Sequence, residues 1–214
     1  HAAHGTIAPD EFIPIAELGD QIRDLTLGVL GESARQWTVW SRAGFTTTIA
    51  VNLSTRVLID KRFAADVRRI LEIHGMPGEK LHFEITESAM LADPARAIEA
   101  ITELNALGIR FSVDDFGIGF SSLSTLKQLP LDSLKIDRSF IRHMTTSERD
   151  ASIVRSTIHL AHDLGLDVIA EGVESTEALT AITQMGCDRA QGYAIAVPAP
   201  GATVLDWARS NGSA

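Results

Sequence analysis

Phe111-Ser112-Val113-Asp114-Asp115-Phe116-Gly117-Ile118-Gly119-Phe120-Ser121-Ser122 changes character halfway along. Its first half alternates, Phe111 and Val113 against Ser112 and Asp114, which is the period of a strand. Its second half is a glycine-punctuated loop. Two adjacent carboxylates stand at the junction, where they repel each other and lose hydration. One reading is a turn whose Asp caps the next helix, a task Ser121 and Ser122 could share. The other is a pair of divalent cations, because hard ions take oxygen ligands and one carboxylate can bridge two of them.

Upstream of this stretch, Pro9 to Pro14 reads as loop, in which Asp10 could cap a short helical turn. A helix is predicted from Ile22 to Ala43, with Trp37 and Trp40 as packing residues, and Gly44 ends it. Thr48 to Leu53 is a strand rich in β-branched residues. A helix follows over Phe63 to His74, then a strand over Leu81 to Thr86. Asp93-Pro94 opens the next helix with a cap and a proline at the first helical position, and Gly108 closes it. Downstream come a helix around Ser122 to Leu129 and a short strand over Leu134 to Ile136. Helix Arg149–Gly165, strand Asp167–Gly172, helix Glu177–Met185 and strand Ala190–Ala196 complete the series. A last helix spans Val204 to Ala208. The domain is taken as residues 1–209, with 210–214 a disordered tail. Strand and helix alternate about six times without a linker-like break, which makes one α/β domain on a parallel sheet.

Side chains alternate along a strand, so parity tells which residues share a face. Asn52 lies with Ala50, Glu84 with His82, Asp114 with Ser112, and Glu171 with Ile169. Lys135 opposes Leu134 and Ile136, and Gln191 stands at the last strand. Six strands thus each place a polar residue at or near their C-terminal end. A (β/α)8 barrel gathers its functional groups from those ends into one mouth, whereas an open doubly wound sheet draws mainly on two strands at a switch point. The fold class is therefore a TIM-type (β/α)8 barrel, incomplete, with about six strands present. Carboxylates and an amide oxygen, with neither Cys nor a clear His pair, make a hard-oxygen site suited to Mg²⁺ or Mn²⁺.

The totals agree. The 214 residues are 45% hydrophobic and 22% charged, ordinary for a folded protein. No apolar run reaches the ~20 residues of a membrane helix, so a cytoplasmic setting is expected. The net charge of −9 speaks against DNA as a partner. A single cysteine, Cys187, excludes a disulfide framework and reads as a small packing residue. His159 and His162 have zinc-compatible spacing, yet lie on a helix where surface or packing roles are expected. Neither a phosphate-binding Gly-Lys-Ser/Thr loop nor a Gly-x-Ser-x-Gly elbow occurs.

Six segments occur in order: Val51-Asn52-Leu53-Ser54, Glu84-Ile85-Thr86-Glu87-Ser88, Asp114-Asp115-Phe116-Gly117, Leu134-Lys135-Ile136-Asp137-Arg138-Ser139-Phe140, Ala170-Glu171-Gly172-Val173-Glu174 and Gln191-Gly192-Tyr193. From about Pro9 to Pro198 the chain resembles the EAL domain, the bacterial phosphodiesterase that hydrolyses cyclic di-GMP to linear pGpG. The resemblance implies two metal ions, Mg²⁺ or Mn²⁺, held by Asn52, Glu84, Asp114 and Asp115, with Asp114 bridging. Lys135 would hold the attacking water or an oxygen on the metal. Glu171 would be base or further ligand, Gln191 would support the site, and Glu87 would anchor the loop after Asp115. It also implies a homodimer and covalently linked sensor or GGDEF-type domains upstream.

The chain departs from the family pattern in several places. His1-Ala2 stands where the family has the His-Pro that follows its Glu-Ala-Leu strand, so the expectation is an N-terminally truncated domain of a longer protein. Ile118, Phe120 and Val197 replace a usual Thr, Tyr and Arg. Two other readings compete: a catalytically inactive EAL domain that receives cyclic di-GMP or contacts a protein, and an enolase-type proton abstractor built on Lys135 and the carboxylates.

Overall fold

The computed structural model describes residues 5, 7–19, 21–86, 93–117 and 126–211. Two helices, α1 (Pro9–Leu18) and α2 (Gln21–Arg42), precede β1 (Ile49–Asn52). Next come α3 (Thr55–Leu58), α4 (Phe63–His74), β2 (Leu81–Thr86), α5 (Pro94–Asn105) and β3 (Arg110–Phe116). The second half runs β4 (Ser133–Ile136), α6 (Arg138–His143), α7 (Glu148–Asp163), β5 (Asp167–Ala170), α8 (Thr176–Gln184), β6 (Arg189–Ala190) and α9 (Gly201–Ser210).

The helices follow from their apolar stripes and caps. In α2 the buried residues Ile22, Thr26, Leu30, Ala34 and Trp37 recur every three or four positions. Ala97, Ile101 and Leu104 do the same in α5, whose N-cap Asp93 accepts a hydrogen bond from the Arg96 amide. Ser147 and Ser175 cap α7 and α8 in the same way. Gly75 closes α4 at φ 60°, the left-handed conformation for which glycine is the cheapest residue.

The six strands are all parallel and neighbour one another in chain order, β1 through β6. Parallel pairing in sequence order, with a helix in almost every connection, is an incomplete (β/α)8 barrel. One face of the sheet carries the core. Phe83, Ile85, Phe111, Val113, Leu134, Ile136, Val168 and Ala170 are all buried. Phe63 of α4, Phe83 and Phe111 stack in a row with ring centroids 5.7 Å apart. Each such ring contributes ~1.5–3 kcal/mol by leaving water. The opposite face carries Ala50, Asn52, His82, Glu84, Ser112, Asp114, Ser133, Lys135, Ile169 and Glu171, as strand parity predicts.

Several expected elements are corrected. Pro9 to Pro14 is the start of helix α1 and not a loop. Pro9 sits in the first helical turn, where its fixed φ is an advantage, and Pro14 removes a single internal hydrogen bond. The last strand is two residues, not seven. After Ala190 the chain turns at Gly192, where the Val173 backbone occupies the space a Cβ would need. The Ile195 and Ala196 amides then bond back to the Gly192 carbonyl. The final helix is longer than expected and reaches Ser210, which removes that residue from the expected tail. Most of the predicted helix from Ser122 to Leu129 lies outside the described residues.

Trp37 is buried and donates from Nε1 to the Thr47 carbonyl at 2.9 Å. Trp40 is half-buried against Phe45 and donates to the Gly201 carbonyl at 2.8 Å, which ties α9 to α2. Among the described residues, no helix is long and apolar enough to cross a membrane.

Candidate active site

Lys135 is the centre of the site. Strand β4 turns it to the barrel interior, where it is 1% exposed. An unpaired ammonium there would cost several kcal/mol, and the neighbouring strands remove that cost. Nζ lies 2.6 Å from Glu84 Oε2 on β2, 3.2 Å from Asp114 Oδ1 on β3 and 2.6 Å from Glu171 Oε1 just past β5. An ammonium has three N–H donors; Glu84 and Glu171 accept from it, and Asp114 adds a third ion-pair partner.

Burial pulls the Lys135 pKa down, but Glu84, Glu171 and Asp114 outweigh it and hold the ammonium above its usual range. The Glu171 carboxyl is pushed up from its ordinary value. Burial is the main cause and Asp114 and Glu84 add repulsion, against the pull of Lys135. Three carboxylates sharing one cation leave a surplus of negative charge, and Glu171 carries part of the strain as a raised proton affinity.

Asp114 and Asp115 separate at the end of β3. Asp115 is exposed and has φ 55°, a left-handed conformation that costs a non-glycine residue about 1–3 kcal/mol. Its amide donates to Asp114 Oδ1 at 3.0 Å. Desolvation, then the charges of Asp114 and Asp137, raise its pKa. The β3–β4 register shifts between Val113 and Phe116, so the pairing is irregular where the two carboxylates lie, while β3 itself continues to Phe116.

Asn52 pairs in register with Glu84 and lines, with Glu84 and Thr86, a cleft of about 490 Å³ between β1 and helices α1 and α2. Glu171 is followed by Gly172 at φ 64°, where a Cβ would meet Arg138 Cβ at 2.5 Å. Gln191 is exposed and its described hydrogen bonds are those of its backbone, from its amide to the Ala170 carbonyl and from the Val173 amide to its own carbonyl. The structure therefore joins Glu84, Asp114, Lys135 and Glu171 in direct contact, sets Asn52 and Asp115 beside them, and does not bring the Gln191 side chain into the cluster. Glu87 lies outside the described residues.

The donors are oxygen atoms of carboxylates with a nearby amide, and their charge exceeds that of Lys135, so their chemistry fits hard divalent cations. Among the described residues no three His, Cys, Asp or Glu side chains already converge on one cation position. The Lys135 ammonium holds the space they share. His162, by contrast, is exposed and bonds Asp188 through Nε2 at 2.8 Å, which accounts for it as a surface pair.

The interior is polar on both sides of Lys135 along β4 and its end. Ser133 faces inward two residues before Lys135, and Asp137 is buried two residues after it, accepting from the Ser139 amide to cap α6. Parity sets Asp137 on the side of Lys135, and Ser133, which the sequence reading had not singled out, follows by the same spacing.

A parallel barrel with its charged residues at the C-terminal strand ends defines a class of barrel enzymes whose chemistry sits in one mouth. The chain belongs to the EAL domain family, whose model matches residues 1–198. It is 37% identical over 206 residues to the bifunctional diguanylate cyclase/cyclic di-GMP phosphodiesterase MucR of Pseudomonas aeruginosa, covering 96% of this chain and 30% of MucR. It is 36% identical over 211 residues to the cyclic di-GMP phosphodiesterase NbdA of the same organism, covering 98% of this chain and 27% of NbdA. The solved structure of the PaMucR phosphodiesterase in complex with c-di-GMP superposes with a TM-score of 0.90 at 36% identity, over 95% of this chain and 83% of that one. The chain thus spans less than a third of the length of these two curated relatives.

Proposed function

We propose that this domain hydrolyses cyclic di-GMP to linear pGpG with Mg²⁺ or Mn²⁺, as one module of a longer signalling protein. The observation that carries the reading is the buried Lys135 held by Glu84, Asp114 and Glu171 at the mouth of an EAL fold. The names of MucR and NbdA support the substrate, and the length of both relatives supports attached sensor or cyclase-type domains.

Glu84, Asp114, Asp115 and Asn52 would hold the metal. When bound, the metal supplies positive charge that offsets the phosphodiester and makes water acidic enough to attack near neutral pH. Glu171 takes a proton from the attacking water, a task that its raised pKa favours. Lys135 keeps its proton and holds its positive charge at the mouth, where negative charge grows on the phosphoryl oxygens as the bond to water forms. The phosphorus–O3′ bond breaks, the freed 3′ oxygen takes up a proton, and the opened dinucleotide keeps its 5′ phosphate. Asp115, in its strained turn, fixes the direction in which Asp114 points.

The test is turnover of cyclic di-GMP by the full-length protein with Mn²⁺, with pGpG followed by chromatography. Turnover that disappears in Glu84→Ala and Asp114→Ala is the expected result. Wild-type turnover in either variant would sink the metal assignment. Tight nucleotide binding with no turnover would replace the enzyme by a receptor.

A further inference from the structure

Beneath the lysine cluster the interior of the sheet holds three further polar side chains. Ser112 and Ser133 are 0% exposed and His82 is 6% exposed. The register places them together: Ser112 of β3 pairs with Glu84 on one side and with Ser133 on the other, and His82 lies two residues before Glu84 on the same face. Ser133 Oγ and His82 Nε2 are 3.5 Å apart, the outer limit of a hydrogen bond. Among the described residues Ser112 Oγ has no partner at all.

An orphaned buried hydroxyl is destabilising, and buried polar groups in folded proteins are almost always bonded to protein or to ordered water. A buried water is stable where it has two to four polar partners. Ser112 Oγ, Ser133 Oγ and the imidazole of His82 supply three, on three adjacent strands of one polar face. The His82 ring, buried on the same face, brings a ring nitrogen to this space beside Ser133 Oγ.

We propose that Ser112 is a positioning residue. Through one buried water shared with Ser133 and His82, its hydroxyl fixes the floor on which Glu84 and Lys135 rest. The role in turnover rests on the phosphodiesterase reading; the water site does not. Ser112 touches no substrate. It acts through the placement of Glu84, its register partner, so its loss affects the rate of the chemical step more than the capture of nucleotide.

Ser112→Thr and Ser112→Val test this in the full-length protein, because they add nearly the same bulk and differ in the hydroxyl. The Thr variant is expected to keep kcat and Tm. The Val variant is expected to lose most of its kcat at unchanged KM, to melt at a lower temperature and to bind Mn²⁺ more weakly by calorimetry. Ser112→Ala, which adds no bulk, is expected to lie between them and guards against a Val variant that fails to fold. If Val and Ala match or exceed Thr in Tm and in Mn²⁺ affinity, the hydroxyl is a true orphan and the proposal fails. If the wild type does not turn over cyclic di-GMP, the phosphodiesterase reading fails, and the Tm and Mn²⁺ comparisons still decide whether the Ser112 site exists.

Discussion

Replacing Lys135 with methionine keeps the length of the side chain and removes its charge. Three carboxylates then face one another without a counter-ion. At an effective dielectric of about 20, each contact of 2.6–3.2 Å is worth about 5–6 kcal/mol of attraction. Desolvation of the four groups offsets most of that sum. Side-chain exposures of 2% for Lys135 and 11–19% for the carboxylates leave little solvent screening. Breaking a buried pair from one side costs about 3–5 kcal/mol, and that is the expected loss for Lys135→Met in chelator. The assay is urea unfolding of the full-length protein and the variant, with EDTA and with Mn²⁺. A divalent cation replaces the missing positive charge, so Mn²⁺ is expected to restore more stability to Lys135→Met than it adds to the wild type. A variant within about 1 kcal/mol of wild type in EDTA would refute the charge argument. Equal stabilisation of both proteins by Mn²⁺ would refute the claim that the same carboxylates bind metal.

Gly172→Ala meets both a left-handed φ and the Arg138 side chain, and is expected to cost about 1–3 kcal/mol in thermal unfolding while lowering turnover, because Glu171 is the preceding residue. His82 gives a pH dependence. Its pKa falls from 6.5 to about 4 through burial, with Arg189, Arg110 and Lys135 also lowering it and Asp132 opposing them. The unfolded chain therefore gains a proton below pH 6.5 that the fold refuses until about 4, and stability declines by up to about 3 kcal/mol across that window as pH falls. His82→Gln is expected to flatten this slope in denaturation curves between pH 7 and about 4; an unchanged slope would show that His82 is not the group responsible. Trp40→Phe removes the bond to the Gly201 carbonyl and is expected to cost about 1 kcal/mol, with faster hydrogen exchange in α9 than elsewhere as its signature.

Parity carried the site reading far. The alternation in Leu134-Lys135-Ile136 and in Leu81 through Ile85 was enough to put Lys135 and Glu84 on one face, because a half-turn error in a strand would have buried charge among the helices. Spacing alone did not reveal that Lys135 is the hub of the cluster, since that depends on register across four strands. For Gln191 parity gave no direction, because β6 ends at Ala190 and past a strand end alternation no longer applies. Helix α1 was hidden by Pro14, whose local penalty is overridden by the helix-compatible Pro9 start and the burial of Ala16. The left-handed Asp115 was not read from the sequence: Asp visits αL more than most residues but only at single positions, and which one does is set by the surrounding backbone.

The strict chain order of the sheet sets a schedule for synthesis. Each strand pairs with the one before it, so every new strand–helix unit emerging from a ribosome finds its edge already present. Glu84 and Asp114 reach adjacent strands first, and for a time they are two interior carboxylates with no cation. Lys135 follows Glu84 by 51 residues, so neutralisation waits for β4. Until that strand docks, the nascent sheet carries two unneutralised carboxylates on its inner face, and the ammonium that anchors the site is also the charge that relieves them.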